Sequence, residues 1–133
     1  MKVLVTGAAG RLGGCVCRML AESGEEFLAV DKCPDEQADY PIEVANLLEW
    51  ETCNELLDGV DVLAHFANHA NWDSTSPEQL YTENAKMNMN LFQAAANAGC
   101  KRIVFSSSIQ VMDGQLAIKD RLQHPNFLPY IPM

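Results

Sequence analysis

A run of glycines near the N-terminal end limits what this chain can become. Thr6-Gly7-Ala8-Ala9-Gly10-Arg11-Leu12-Gly13 carries glycine at every third position and lies between two segments of different periodicity. Before it stands Val3-Leu4-Val5, a short continuous apolar run that reads as a strand buried on both faces. After it, from Arg11 to Ser23, Leu12, Cys15, Val16, Met19 and Leu20 fall at helical spacing, and Gly24 reads as the C-terminal cap. Each glycine has a mechanical use in that setting. Gly7 permits a tight turn, Gly10 lets backbone N–H groups approach a pyrophosphate, and Gly13 lets the helix lie close to the sheet. Three glycines also suit a strand-to-helix turn that binds nothing. Asp31 tips the balance toward a dinucleotide: it closes a second buried strand, Phe27 to Val30, at about the ~20-residue interval expected of an acid that holds a ribose diol.

The remaining segments continue the alternation. Ile42-Glu43-Val44 reads as a short third strand, Leu48 to Leu57 as a helix stopped by Asp58-Gly59, and Val60 to Ala64 as a fourth strand. Ser76-Pro77-Glu78 is a helix entry, with Leu80, Asn84, Met87, Leu91, Ala95 and Ala98 along one face, and Ile103-Val104-Phe105 is a fifth strand. Strands separated by helices predict an α/β chain with a parallel sheet and helices on both faces, because parallel neighbours need a crossover between them. Residues 1–108 are expected to form this domain, with the sheet ending after its fifth strand. Residues 109–133, with prolines at 125, 129 and 132, are expected to be an irregular tail.

Composition narrows the partners. A formal charge of -9 would repel a phosphate backbone, and no Lys/Arg cluster offsets it, so nucleic acid is not expected. The five cysteines contain no C-x-x-C pair and suggest neither a disulfide framework nor a zinc site, which fits the cytoplasm. The first apolar run is too short for a signal peptide or a membrane span. The carboxylate of Asp31 favours NAD over NADP, because it accepts from a 2'-hydroxyl and repels a 2'-phosphate; Lys32 and Arg11 are the cations that could soften that repulsion. His65 and His69 make an H-x3-H spacing, which binds metal from a helix but not from a strand-to-loop segment.

Four motifs together resemble the extended short-chain dehydrogenase/reductase family, the NAD-dependent epimerases and dehydratases. They are the Thr6 to Gly13 loop, the segment Asp61-Val62-Leu63-Ala64-His65-Phe66-Ala67, the helix with Asn84 and Asn90-Leu91-Phe92-Gln93-Ala94-Ala95, and Lys101 to Phe105 followed by Ser106-Ser107-Ser108. The resemblance covers essentially the whole chain and implies a Rossmann-like domain. It further implies that Gly7, Gly10, Arg11, Leu12 and Gly13 line a pyrophosphate and that Asp31 binds the adenosine ribose. Asn46 and Leu47 would stand near adenine, with Asn46 in place of the family's Asp. Ala67 would lie along the cofactor, and Ser108 would hydrogen-bond the reacting oxygen as the catalytic serine. Asn84 reads as a catalytic residue or, at least equally, as one that hydrogen-bonds backbone within the sheet, and Trp72 as a loop residue or a pocket wall.

The family's chemistry also uses a Tyr-x-x-x-Lys helix, and no such motif occurs in this sequence. Tyr130 lies in a proline-flanked stretch that resembles the loop before that motif. The resemblance therefore implies the NAD-binding portion of a sugar epimerase, dehydratase or uronate-type dehydrogenase, inactive at this length and dimeric when complete, with a dinucleotide and a sugar-like molecule as its ligands. The alternative is a non-catalytic NAD-binding or redox-sensing module that works through a partner.

Overall fold

The computed structural model describes residues 1–69 and 76–107. In chain order the elements are β1 (Val3–Thr6), α1 (Arg11–Glu22), β2 (Phe27–Asp31), β3 (Ile42–Val44), α2 (Trp50–Leu56), β4 (Val62–His65), a π-helical turn (Gln79–Glu83), α3 (Asn84–Asn97) and β5 (Arg102–Phe105). The strands form one parallel sheet in the order β3-β2-β1-β4-β5. The chain thus builds outward from β1 to β3, then crosses back to lay β4 on the other side of β1. Thr6 pairs with Val30 on one side and His65 on the other. The point where the strand order reverses is therefore at β1, and the loops after β1, β2 and β4 open over it.

Strand alternation divides the core into two faces. Leu4, Val30 and Leu63 point into a cluster with Leu56, Leu57, Leu91 and Ala95 from the α2 and α3 side. Val3, Val5, Ala29 and Ala64 point into a second cluster with Cys17 of α1 and Tyr40 of the loop between β2 and β3. Helices therefore cover both faces of a Rossmann-like parallel sheet, as the alternation of strand and helix in the sequence predicts.

Two local expectations change. The fully buried residues of α1 are Gly13, Gly14 and Cys17; Val16 and Leu20 of the expected stripe pack against the core, whereas Leu12 and Met19 are exposed at 53% and 61%. The small residues win because only they let the helix backbone approach the β1 loop: a methyl group on Gly13 would collide with the Gly7 carbonyl. The start of the next long helix is a π-turn over Gln79–Glu83, not an α-helical one, so α3 proper begins at Asn84. Met87, Leu91, Ala94 and Ala95 are its buried residues, with Ala98 outside the helix.

β5 is an edge strand, and all four of its residues are exposed in the described structure.

Candidate functional site

The loop between β1 and α1 turns on Gly7, whose φ of +74° lies in the left-handed region and whose missing Cβ would stand 2.6 Å from the Ala67 nitrogen. The chain is thereby brought against the end of β4. Gly10 N–H donates to Gly7 O at 3.0 Å, closing the turn, and Gly10 then serves as the N-cap of α1. No side chain caps this helix. The first-turn N–H groups of Arg11, Leu12 and Gly13 therefore have no capping acceptor, and the positive end of the helix dipole adds to them. A helix start of this kind can hold an anion through backbone amides alone.

Asp31 stands across the loop. Its Oδ2 accepts the Ala9 N–H at 3.0 Å, and its Oδ1 accepts the Lys32 N–H at 2.7 Å. With the Cys33 N–H, which donates to Oδ1 at 3.4 Å, three backbone donors fix the carboxylate, and Oδ2 keeps lone-pair capacity for a further donor. The same contact locks the glycine loop to β2.

A cleft of about 390 Å³ runs over these groups, lined by Gly7, Gly10, Asp31, Asn46, Leu47 and Ala67, among others. Six of the residues singled out in the sequence are thus brought together. Arg11, Leu12 and Gly13 are not in the cleft wall: the first two open α1, and Gly13 lies beneath the loop against Gly7. Asn46 lines the cleft with its side chain already engaged, Oδ1 accepting the Leu48 N–H at 3.1 Å and Nδ2 donating to Glu49 at 3.0 Å. Leu47 is buried, and its carbonyl accepts from Asn90 Nδ2 at 3.1 Å, which ties the cleft wall to α3. Ser108, Trp72 and Tyr130 lie outside the described residues.

The cleft lining also holds residues that the motifs do not single out as binding groups. His69 and Glu83 both line it, with Nε2 and Oε2 2.8 Å apart. Asn84 binds both backbone groups of His69: its Oδ1 accepts the His69 N–H at 2.8 Å, and its Nδ2 donates to the His69 carbonyl at 3.1 Å. Asn84 therefore has the backbone-binding role, directed at the loop after β4. No periodicity announces the His69–Glu83 pair, because one member follows β4 and the other lies in the π-turn. The two histidines have separate partners, since His65 is buried between Thr6 and Asn88.

Behind the glycine loop, Tyr40 Oη donates to the Ala8 carbonyl at 3.1 Å and packs edge-on against Phe27. Burial first, then the neighbouring Cys17, pushes the Tyr40 phenol above its ordinary range. It stays a neutral donor at physiological pH. The Cys17 thiol is also raised by burial.

The glycines at steric contact, the uncapped helix terminus and the fixed carboxylate fit a dinucleotide. The family model described as NAD dependent epimerase/dehydratase family matches residues 3–129. The chain belongs to that family. A curated relative, the UDP-glucose 4-epimerase of Klebsiella pneumoniae, is 31% identical over 131 residues, 86% of this chain and 94% of that one. The UDP-glucose 4-epimerase of Bacillus subtilis is also 31% identical, over 84% of this chain but 38% of its own length. Among solved structures, the uronate dehydrogenase of Agrobacterium tumefaciens is 30% identical with a TM-score of 0.72, over 84% of this chain and 42% of that one. A mutant of that enzyme has been solved in complex with NAD. NAD is thus the cofactor of the family, and this chain spans about two fifths of the Bacillus and Agrobacterium relatives. No helix of the described residues is long and apolar enough to cross a membrane.

Proposed function

We propose that this chain is the NAD-holding part of a sugar epimerase, sugar dehydratase or uronate-type dehydrogenase. The observation that carries the reading is Asp31, a carboxylate fixed by three backbone N–H groups on the wall of the cleft that Gly7 and Gly10 also line. Asp31 takes the adenosine ribose diol. The amides of Arg11, Leu12 and Gly13 face the pyrophosphate, and Gly7 and Gly10 keep the backbone close enough for it to seat. Asn46 and Leu47 form the adenine wall and Ala67 the floor beneath the cofactor. When bound, NAD supplies a hydride acceptor for a carbon bearing a sugar hydroxyl. Ser108 is assigned to the reacting oxygen as hydrogen-bond donor, and residues 1–108 are assigned to the nucleotide-binding domain.

Asp31 also sets the cofactor preference, since a 2'-phosphate would bring like charge to a carboxylate that cannot move without releasing Ala9 and Lys32. Calorimetry with NAD and NADP on the wild type and an Asp31→Ala variant tests this. NAD should bind more tightly than NADP to the wild type, and the variant should lose the difference. Equal heats for all combinations would remove Asp31 from the site. NADH formation across a panel of sugars and uronic acids tests the catalytic part, and NAD binding without turnover on any of them would favour the non-catalytic module.

A further inference from the structure

A turn that takes an anion through its N–H groups has to direct its carbonyl oxygens elsewhere. In the turn after β1 the Gly7 and Gly10 carbonyls are taken by backbone donors, the Gly10 N–H at 3.0 Å and the Gly14 N–H at 2.8 Å. The Ala8 carbonyl is served by a side chain instead: Tyr40 Oη donates to it at 3.1 Å in a buried contact. That carbonyl shares one peptide unit with the Ala9 N–H, which donates to Asp31 Oδ2 at 3.0 Å. All peptide bonds of the described residues are trans, so the two groups point in opposite directions. Tyr40 and Asp31 therefore grip the same peptide from opposite sides. We propose that Tyr40 is a positioning residue for dinucleotide binding: by holding the Ala8 carbonyl on the buried side, it keeps the Ala9 N–H on Asp31 and that oxygen away from the pyrophosphate. This deepens the dinucleotide reading and rests on it.

The two gripping residues bracket the loop between β2 and β3. Asp31 ends β2, residues 32–37 are exposed, and the chain returns inward at Tyr40, which is buried. The ring is placed by Phe27, the first residue of β2, against which it packs edge-on with centroids 5.8 Å apart. Gly14 of α1 leaves room for the contact, since a Cβ there would stand 3.2 Å from the Ala8 oxygen and 3.3 Å from Tyr40 Oη. Without the phenol, the buried Ala8 carbonyl would gain by turning toward water. That rotation takes the Ala9 N–H off Asp31, so the ribose acceptor and the phosphate seat loosen together. A turn fixed beforehand loses less freedom when the ligand binds.

The test pairs calorimetry with ADP and amide NMR spectra on the full chain as wild type, Tyr40→Phe and Gly14→Ala. Phenylalanine keeps the ring on Phe27 and removes only the donor. Gly14→Ala leaves Tyr40 in place and presses a methyl group on the same hydrogen bond. Both variants should bind ADP about fivefold more weakly than wild type, the scale of one neutral hydrogen bond. In both, the Ala9 amide proton should move upfield as it leaves Asp31, while that of Val5 in β1 keeps its position. Wild-type affinity in folded Tyr40→Phe, or weaker ADP binding with the Ala9 amide unmoved, overturns the assignment of Tyr40 while leaving the dinucleotide reading intact. If Tyr40→Phe does not fold, Gly14→Ala decides by the same two readings. Failure of wild type to bind ADP overturns both.

Discussion

Thr6 Oγ1 and His65 Nδ1 lie 2.6 Å apart at the centre of the sheet, and both residues are fully buried. Asn88 Oδ1 stands 2.8 Å from the other ring nitrogen. An amide oxygen only accepts, so Nε2 carries the proton and Nδ1 accepts the threonine hydroxyl. Both nitrogens are satisfied in the neutral ring. Burial lowers the His65 pKa from its ordinary 6.5, and the Asn88 bond offsets part of that. A lowered histidine pKa means that the unfolded chain takes up a proton first as the pH falls. The contribution is full above 6.5 and declines below it until the native imidazole itself protonates. Melting temperature should therefore fall between about pH 7.5 and pH 5.5. A His65→Gln variant, less stable at neutral pH, should show a smaller fall, and an equal fall in both would assign the acid sensitivity elsewhere.

Gly13 and Gly24 should respond very differently to alanine. At Gly13 the added methyl meets the Gly7 carbonyl, a backbone atom that cannot yield without moving the loop. The expected cost is about 3 kcal/mol or more, together with loss of ADP binding. Gly24 has φ +67° but nothing within 4 Å of where a Cβ would stand, so alanine there should cost about 1–2 kcal/mol from the backbone alone and spare binding. Denaturant melts of the two variants check the order.

Much of this site is legible in the sequence because its first half is local. β1, the glycine loop, α1 and Asp31 occupy one strand-helix-strand unit, and their placement together follows from spacing alone. The buried face of α1 is not legible that way: hydropathy favours Leu12 and Met19, while close approach to the β1 loop selects Gly13 and Cys17. His65 is equally opaque, since its partners lie 59 and 23 residues away in sequence. The His69–Glu83 pair depends on a π-turn that an α-helical periodicity conceals.

Tyr40→Phe should cost about 1 kcal/mol, because the buried Ala8 carbonyl loses its phenolic donor while the packing on Phe27 remains. As Ala8 sits within the glycine loop, ADP affinity should fall as well. Calorimetry checks this, and unchanged affinity would confine Tyr40 to a structural role.

Cysteine labelling should divide the thiols by burial. Cys15 and Cys33 are exposed, whereas Cys17 and Cys53 are fully buried. Burial pushes the Cys53 thiol up to about 11, so thiolate is scarce there at neutral pH. A thiol-disulfide reagent should modify Cys15 and Cys33 in the native protein and reach Cys17 and Cys53 only after denaturation. Rapid native labelling of Cys53 would contradict the packing of α2 on the sheet.

The reversal of strand order at β1 also bears on how the chain acquires its structure in time. The bond that joins the glycine loop to Asp31 closes over 22 residues, whereas the one that joins Thr6 to His65 spans 59. Shorter closures cost less entropy and tend to form first. The strand-helix-strand unit from β1 through β2 would then nucleate, with β4 docking afterwards onto the open side of β1. Substitutions in β2 would slow refolding, while those at His65 would mainly hasten unfolding.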